Sequence, residues 1–260
     1  MNSTKKLNTI CLPKTSIYIK DNLNSEIISQ ALYGENFKII KENNNWHFIE
    51  LQDDSYKGWI FNINKNISFN TTHMISVLNT WVYSSPNIKS KPIIKLFAGS
   101  KLKILDFYDS WAIVQIFKKN FVQGFIPKNH IIKSNENANW LKIIKKFENA
   151  PYLWGGKTVN GIDCSGLLQV GLKFKGLKIP RDTKDQLKYF KKLIFKSKSE
   201  SLSNFNSFIP GDIIFWDGHV AIIINKKELI HANAFHMTVK IEKIESALKR
   251  INQKFIIKRI

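Results

Sequence analysis

Residues 151–174 read Pro-Tyr-Leu-Trp-Gly-Gly-Lys-Thr-Val-Asn-Gly-Ile-Asp-Cys-Ser-Gly-Leu-Leu-Gln-Val-Gly-Leu-Lys-Phe. The first six residues make a rigid aromatic loop. After Cys164 the apolar positions Leu167, Val170, Gly171 and Phe174 fall on one face at helical spacing. Cys164 is therefore expected in the first turn of a buried helix, with Asp163 at or near its N-cap. A helix N-terminus carries unpaired N–H groups and a positive end. Both stabilise a thiolate and can lower a thiol pKa from its ordinary ~8.5, and the same N–H groups can help to hold an oxyanion. Upstream, Trp140, Ile143, Ile144 and Phe147 recur at helical spacing until Pro151 stops that helix.

A nucleophilic thiol needs a base. Pro210-Gly211-Asp212 opens a strand from Ile213 to Trp216, and a tight Asp217-Gly218 turn leads into His219-Val220-Ala221-Ile222-Ile223-Ile224. Asn225-Lys226-Lys227 then turns the chain into Leu229-Ile230-His231-Ala232-Asn233. A hairpin centred on Asn225 pairs His219 directly with His231, their Cβ atoms ~4.5–5.5 Å apart. A one-residue shift of the turn makes them diagonal neighbours on the same face. One imidazole can take the thiol proton while the other accepts its remaining N–H and fixes its tautomer. Taken singly, a cysteine in a helix or a histidine in a strand is an ordinary core residue; it is the joint spacing that points to chemistry. Two histidines and one cysteine fall short of a zinc set, so neither a metal nor a cofactor is expected.

The first half holds a repeat. Ile17-Tyr18 recurs as Val82-Tyr83, Gly34 as Gly99, Lys38-Ile39-Ile40 as Lys103-Ile104-Leu105, and Trp46 as Trp111, all at one offset. Gly58-Trp59-Ile60 recurs as Gly124-Phe125-Ile126 one residue later in register. Short β-rich runs alternate with Asn, Asp, Ser and Gly clusters, the pattern of a small all-β barrel with tight turns. Trp46 and Trp111 are expected to pack in their cores. Residues 66–79 and 133–139 read as polar linkers, and residues 194–209 as a Ser/Lys-rich connection without a recognised motif.

The repeat resembles bacterial SH3-like domains, whose Gly, core-strand, Trp and Gly-aromatic-Ile landmarks come in this order. The second half resembles the NlpC-type papain-like cell-wall peptidases through Pro-Tyr-x-Trp-Gly-Gly, Asp-Cys-Ser-Gly-Leu, Pro-Arg-Asp-Thr, Gly-Asp-x-x-Phe-Trp, Gly-His-Val-Ala-Ile and Ile-His-Ala, over about residues 140–260. The resemblance implies two small all-β SH3-like barrels, residues 1–68 and 69–135, followed by an α+β papain-like catalytic domain over 136–260. It implies Cys164 as nucleophile, His219 as general base and His231 as the orienting group. It further implies a γ-D-glutamyl-L-diamino-acid peptidase acting on murein peptides. In relatives with SH3-like domains a carboxylate and a serine flanking the nucleophile bind the free amine of an N-terminal L-alanine. These map to Asp163 and Ser165, with Tyr152 and Trp154 lining the pocket. Thr183 with Gln186 three residues on reads as a capping box. The same Arg181-Asp182-Thr183 segment is alternatively a contact for the substrate's carboxylates, and Arg181 alternatively a structural ion pair.

Composition bounds the rest. The 260 residues carry a formal charge of +20, yet the basic residues are 37 Lys and only 3 Arg. A nucleic-acid reader leans on arginine for bidentate contacts, and this charge is spread along the chain, so no nucleic-acid partner is expected. Two cysteines exclude a disulfide framework. No apolar run approaches a signal peptide or a membrane span, so no membrane insertion and a cytoplasmic location are expected. The favoured reading is a peptidase in cell-wall peptide recycling. The alternatives are an exported peptidoglycan endopeptidase or autolysin and a non-catalytic peptidoglycan-binding protein.

Overall fold

A computed structural model describes residues 7–196 and 208–260; part of the 194–209 connection thus lies outside the described residues. The chain forms two compact units, Met1–Ala138 and Asn139–Ile260.

The first unit is all β. It comprises β1 (Asn8–Thr9), β2 (Lys14–Tyr18), β3 (Ile27–Leu32), β4 (Asn36–Asn43), β5 (Trp46–Leu51) and β6 (Lys57–Phe61), then β7 (His73–Ile75), β8 (Asn79–Tyr83), β9 (Pro92–Phe97), β10 (Lys101–Tyr108), β11 (Trp111–Phe117), β12 (Phe121–Pro127) and β13 (Ile131–Lys133). The first six form a sheet in the order β1-β4-β5-β6-β2-β3, and the rest a sheet in the order β13-β7-β10-β11-β12-β8-β9. The sequence repeat is thus a structural one: β2 to β5 recur as β8 to β11 at the offset read from the residues. Gly34 and Gly99 both turn with φ near +80°. Tyr18 meets Trp46 edge-on at 5.3 Å, and Tyr83 meets Trp111 at 5.7 Å. A Cβ on Gly58 would lie 2.4 Å from Ile17, and one on Gly124 2.4 Å from Val82. Both ladders, however, run from edge to edge, so the closure expected of two barrels is not part of either sheet's hydrogen bonding. The finding is two sheets built to one plan.

The second unit contains α1 (Trp140–Lys145), β14 (Lys157–Thr158), β15 (Gly161–Ile162), α2 (Cys164–Lys173), α3 (Thr183–Tyr189), β16 (Lys192–Lys196), β17 (Ile213–Trp216), β18 (His219–Ile223), β19 (Glu228–Asn233), β20 (Thr238–Lys243), α4 (Ile244–Ile251) and β21 (Ile256–Arg259). Its antiparallel sheet has the order β16-β21-β17-β18-β19-β20, and α2 packs on β18 and β19. Gly171 lets α1 approach α2 closely, since a Cβ there would meet Ile144 at 2.4 Å. Arg259 holds β21 to the start of β17 by two bonds to the buried carboxylate of Asp212, at 2.6 and 2.7 Å. No helix among the described residues is long and apolar enough to cross a membrane.

Candidate active site

Cys164 is the first residue of α2, and Asp163 is its N-cap, accepting from Gly166 N at 2.7 Å. Leu167, Leu168, Val170, Leu172 and Phe174 are buried, so apolar burial fixes the helix and the cap fixes where it starts. Gly166 is required by close approach: a Cβ there would lie 2.4 Å from Gly156 O, which seats the Gly155-Gly156 loop on the helix entrance. The backbone of Val220 and the hydroxyl of Thr183 both hydrogen-bond the Cys164 thiol. The sulfur therefore lies against the residue that follows His219.

The thiol's shift runs opposite to the one a helix N-terminus favours. Burial, followed by the negative charge of Asp163, pushes the Cys164 thiol up to about 11, against the opposing pull of Val220, Thr183 and Arg181. The helix N-terminus does not win because the sulfur is almost wholly withdrawn from water and its neighbouring cap is an anion.

His219 and His231 come together, but not as directly opposed residues. Ile222 pairs with Ile230 and Ile223 with Leu229, so the turn is centred one residue later than Asn225. The Asn225 side chain sets this register by accepting from Lys227 N and Glu228 N, both at 2.8 Å, while Ile224 N donates to Glu228 O. The two histidines are diagonal neighbours on one face, with His219 Nε2 2.8 Å from His231 Nδ1. Trp216, opposite His219 across the tight turn, stacks on its ring at 5.5 Å. Burial first, then the nearby His231 and Arg250, lowers His219 to about 3. Burial likewise lowers His231, against the opposing effect of Glu242. The shifts of Cys164, His219 and His231 all run toward the neutral forms, which suits His219 to act as a general base toward the thiol.

Two residues absent from the sequence reading complete this chain. His231 Nε2 lies 2.6 Å from Glu242 Oε1, and Arg250 is bonded to the same oxygen. Burial pushes the Glu242 carboxyl up, but the His231 hydrogen bond and the charges of His231 and Arg250 outweigh it and hold the group below the usual carboxylate range. The available signal was register. His231 pairs with Lys240, so Glu242, two residues on, shares its face.

The expected substrate residues divide. Asp163, Thr183 and Tyr152 lie close to the thiol, while the Ser165 hydroxyl is bonded to Asp163 and Arg181. Tyr152 is pushed up to about 12, by burial first and then by Cys164 and Asp163. Asp163 is already engaged: Oδ2 accepts from Gly155 N and Arg181 Nη2, and Oδ1 from Gly166 N and Ser165 Oγ. Two donors on each oxygen fill the usual acceptor places of a carboxylate, so direct pairing with a substrate ammonium meets an occupied group. Arg181 is fully buried, and its Nη1 also donates to Ser165 Oγ at 2.7 Å, which makes it the structural ion pair. Trp154 is 59% exposed and Asp182 is exposed. The capping box does not form. Asp182 occupies the N-cap and Thr183 the first turn of α3, while Gln186 Nε2 turns back to Ser165 O and Pro180 O. This frees the Thr183 hydroxyl for the thiol and ties α3 to the start of α2.

For a metal, ligand atoms of His231, His236 and Glu242 lie within 4.8 Å of one another. His231 and the cationic Arg250 already occupy one Glu242 oxygen, and His236 Nδ1 is turned to Asn233 Oδ1, an arrangement that is a poor fit to a metal ion.

Residues 149–257 match the model of the NlpC/P60 family, and residues 18–61 that of the bacterial dipeptidyl-peptidase SH3 domain. The chain is 24% identical to dipeptidyl-peptidase 6 of Lysinibacillus sphaericus, over 84% of each chain. It is 23% identical to the gamma-D-glutamyl-L-lysine dipeptidyl-peptidase of Bacillus subtilis, over 79% of this chain and 72% of that one. The solved structure of an NlpC/P60 family protein from Bacillus cereus superposes with a TM-score of 0.77 at 18% identity, over 98% of this chain and 99% of that one. At that identity the likeness is one of fold.

Proposed function

Because this chain carries an NlpC/P60 domain and is a cysteine peptidase, we propose that it hydrolyses the bond between γ-D-glutamate and the diamino acid of murein peptides with a free N-terminal L-alanine, in cell-wall peptide recycling. The observation that carries the mechanism is the His219–His231 bond beside a thiol held by Val220 and Thr183. The relatives named as dipeptidyl-peptidases, matched over most of their length, support the bond cleaved. In the same reading the first unit holds two SH3-like modules, residues 1–68 and 69–135, the second supported by its structural repetition of the first.

In this mechanism His219 Nδ1 takes the Cys164 proton as sulfur attacks the γ-carbonyl carbon of D-glutamate. The Cys164 N–H, which has no intrahelical acceptor in the first turn, is placed to stabilise the resulting oxyanion. The imidazolium returns its proton to the departing amine, leaving a thioester. Water, deprotonated by His219, then attacks the thioester, and the thiol and the dipeptide acid are released. The substrate ammonium is met by the Ser165 hydroxyl, which retains an acceptor position, and by the Tyr152 phenol. Asp163 acts behind Ser165, neutralised by Arg181.

The test compares L-Ala-γ-D-Glu-L-Lys and its diaminopimelate counterpart with the same peptides acetylated on the amine. The reading expects cleavage of the free peptides and at least about tenfold less of the acetylated ones, the discrimination typical of a site that hydrogen-bonds a substrate group and loses it. Equal cleavage, or cleavage of intact sacculi alone, would replace it with an exported wall endopeptidase.

A further inference from the structure

His219 can act as a base toward the thiol only if the nitrogen turned away from His231 carries a lone pair, and an imidazole does not choose its tautomer alone. The relay His219 Nε2 to His231 Nδ1 at 2.8 Å, and His231 Nε2 to Glu242 Oε1 at 2.6 Å, must be ordered by something at its end. Glu242 is that end. An ionised carboxylate only accepts, so His231 must place its proton on Nε2 and leave Nδ1 as an acceptor. His219 must then place its own proton on Nε2, which leaves Nδ1 as the lone pair. Arg250, bonded to the same Glu242 oxygen and lying over the exposed Phe235 ring at 4.6 Å, can only donate and so cannot reverse the order. The groups facing Glu242 are His231 on β19, with His219 on β18 beyond it, and Arg250 on α4. His236 lies in the turn before β20, close to His231, and its Nδ1 is 3.0 Å from Asn233 Oδ1.

We propose that Glu242, held by Arg250, is a positioning residue that fixes the tautomers of His231 and His219 and so determines which nitrogen of His219 is free to take the thiol proton. This rests on the assignment of Cys164 and His219 made above, but on no assignment of substrate. The lowered His231 and Glu242 agree with a neutral ring against an ionised carboxylate.

The experiment reads the rate of Cys164 alkylation by iodoacetamide from pH 6 to 10, with peptide mass mapping to separate it from Cys11. No murein peptide is needed, so a failure here is distinguishable from a failure of the substrate assignment. Glu242→Leu removes the acceptor and is expected to slow alkylation at least tenfold at pH 7. The deficit should shrink toward pH 10, where hydroxide removes the thiol proton and the tautomer of His219 ceases to matter. Glu242→Gln can keep an oxygen where Oε1 stands and is expected to remain within about threefold of the unmodified protein. A Leu profile that superposes on the unmodified one, a deficit equal at every pH, or equal losses in Leu and Gln would each overturn the proposal. Should the Leu variant fail to fold, side-chain nitrogen NMR of the unmodified protein decides. Nε2–H tautomers on both histidines are expected, and Nδ1–H on either would overturn it.

Discussion

Replacing Arg181 by methionine should expose how far the nucleophile's setting depends on one buried charge pair. The Arg181 and Asp163 side chains are 2% and 6% exposed and lie 2.6 Å apart. Removing the guanidinium leaves a carboxylate with no water to replace it. Breaking a buried pair from one side costs about 3–5 kcal/mol. Here the bonds from Gly155 N and Gly166 N remain on the carboxylate, which places the expected cost near the lower end, about 3 kcal/mol. For a unit of this size about 4 °C is lost per kcal/mol, so its unfolding midpoint should fall by about 12 °C. The assay is calorimetry of the full chain, with a double-mutant cycle using Asp163→Asn. A coupling of about 2 kcal/mol is expected between two residues in direct contact. A midpoint shift under about 2 °C, or a cycle additive within about 0.5 kcal/mol, would refute the claim that the pair is a buried structural element.

Acid should destabilise the protein well before ordinary carboxylates titrate. His219 is lowered from 6.5 to about 3, and His231, His47, His73 and His130 are lowered in the same direction, each chiefly by burial. The unfolded chain therefore binds more protons below pH 6.5. The stability is fully present above that pH and is lost as pH falls toward the folded values. His219 alone accounts for about 2 kcal/mol at pH 5, and an unfolding midpoint unchanged between pH 7 and pH 5 would contradict this. His231→Ala is expected to keep the fold yet lower kcat by at least about a hundredfold, within the range attributed to general-base assistance; loss of KM alone would argue against an orienting role. Gly166→Ala should lower both stability and activity, because its Cβ would collide with Gly156 O and part the aromatic loop from the helix entrance. Wild-type melting and turnover in that variant would show that the loop does not need this approach.

What the sequence made legible was local or periodic. Asp163 as N-cap, Cys164 in the first helical turn and the repeated sheet all follow from spacing, because capping and strand periodicity act over a few residues. The two histidines were found on one face; which of the two registers they would take depended on the Asn225 side chain folding back on its own turn. The raised thiol was missed because burial is a property of the packed unit, whereas the helix N-terminus is visible in the residues. Glu242 was missed because its strand carries no motif and meets His231 only through the next hairpin. Arginine usage was a clue of a different kind. In a chain with 37 Lys, its three Arg are 181, 250 and 259, and each is bonded to a carboxylate of the second unit. These are places where a planar, permanently charged donor set does what lysine cannot. Read this way, the net charge of +20 is carried chiefly by lysine, and the site's ion pairs by residues that barely alter the total.

The central claim is that Cys164 is the nucleophile of a peptidase for γ-D-glutamyl bonds. The direct measurement is mass spectrometry of L-Ala-γ-D-Glu-L-Lys incubated with the protein and with its Cys164→Ala variant. The account predicts L-Ala-γ-D-Glu and free lysine from the first, and intact tripeptide from the folded variant. Release of the dipeptide by Cys164→Ala at the rate of the unmodified protein would contradict it.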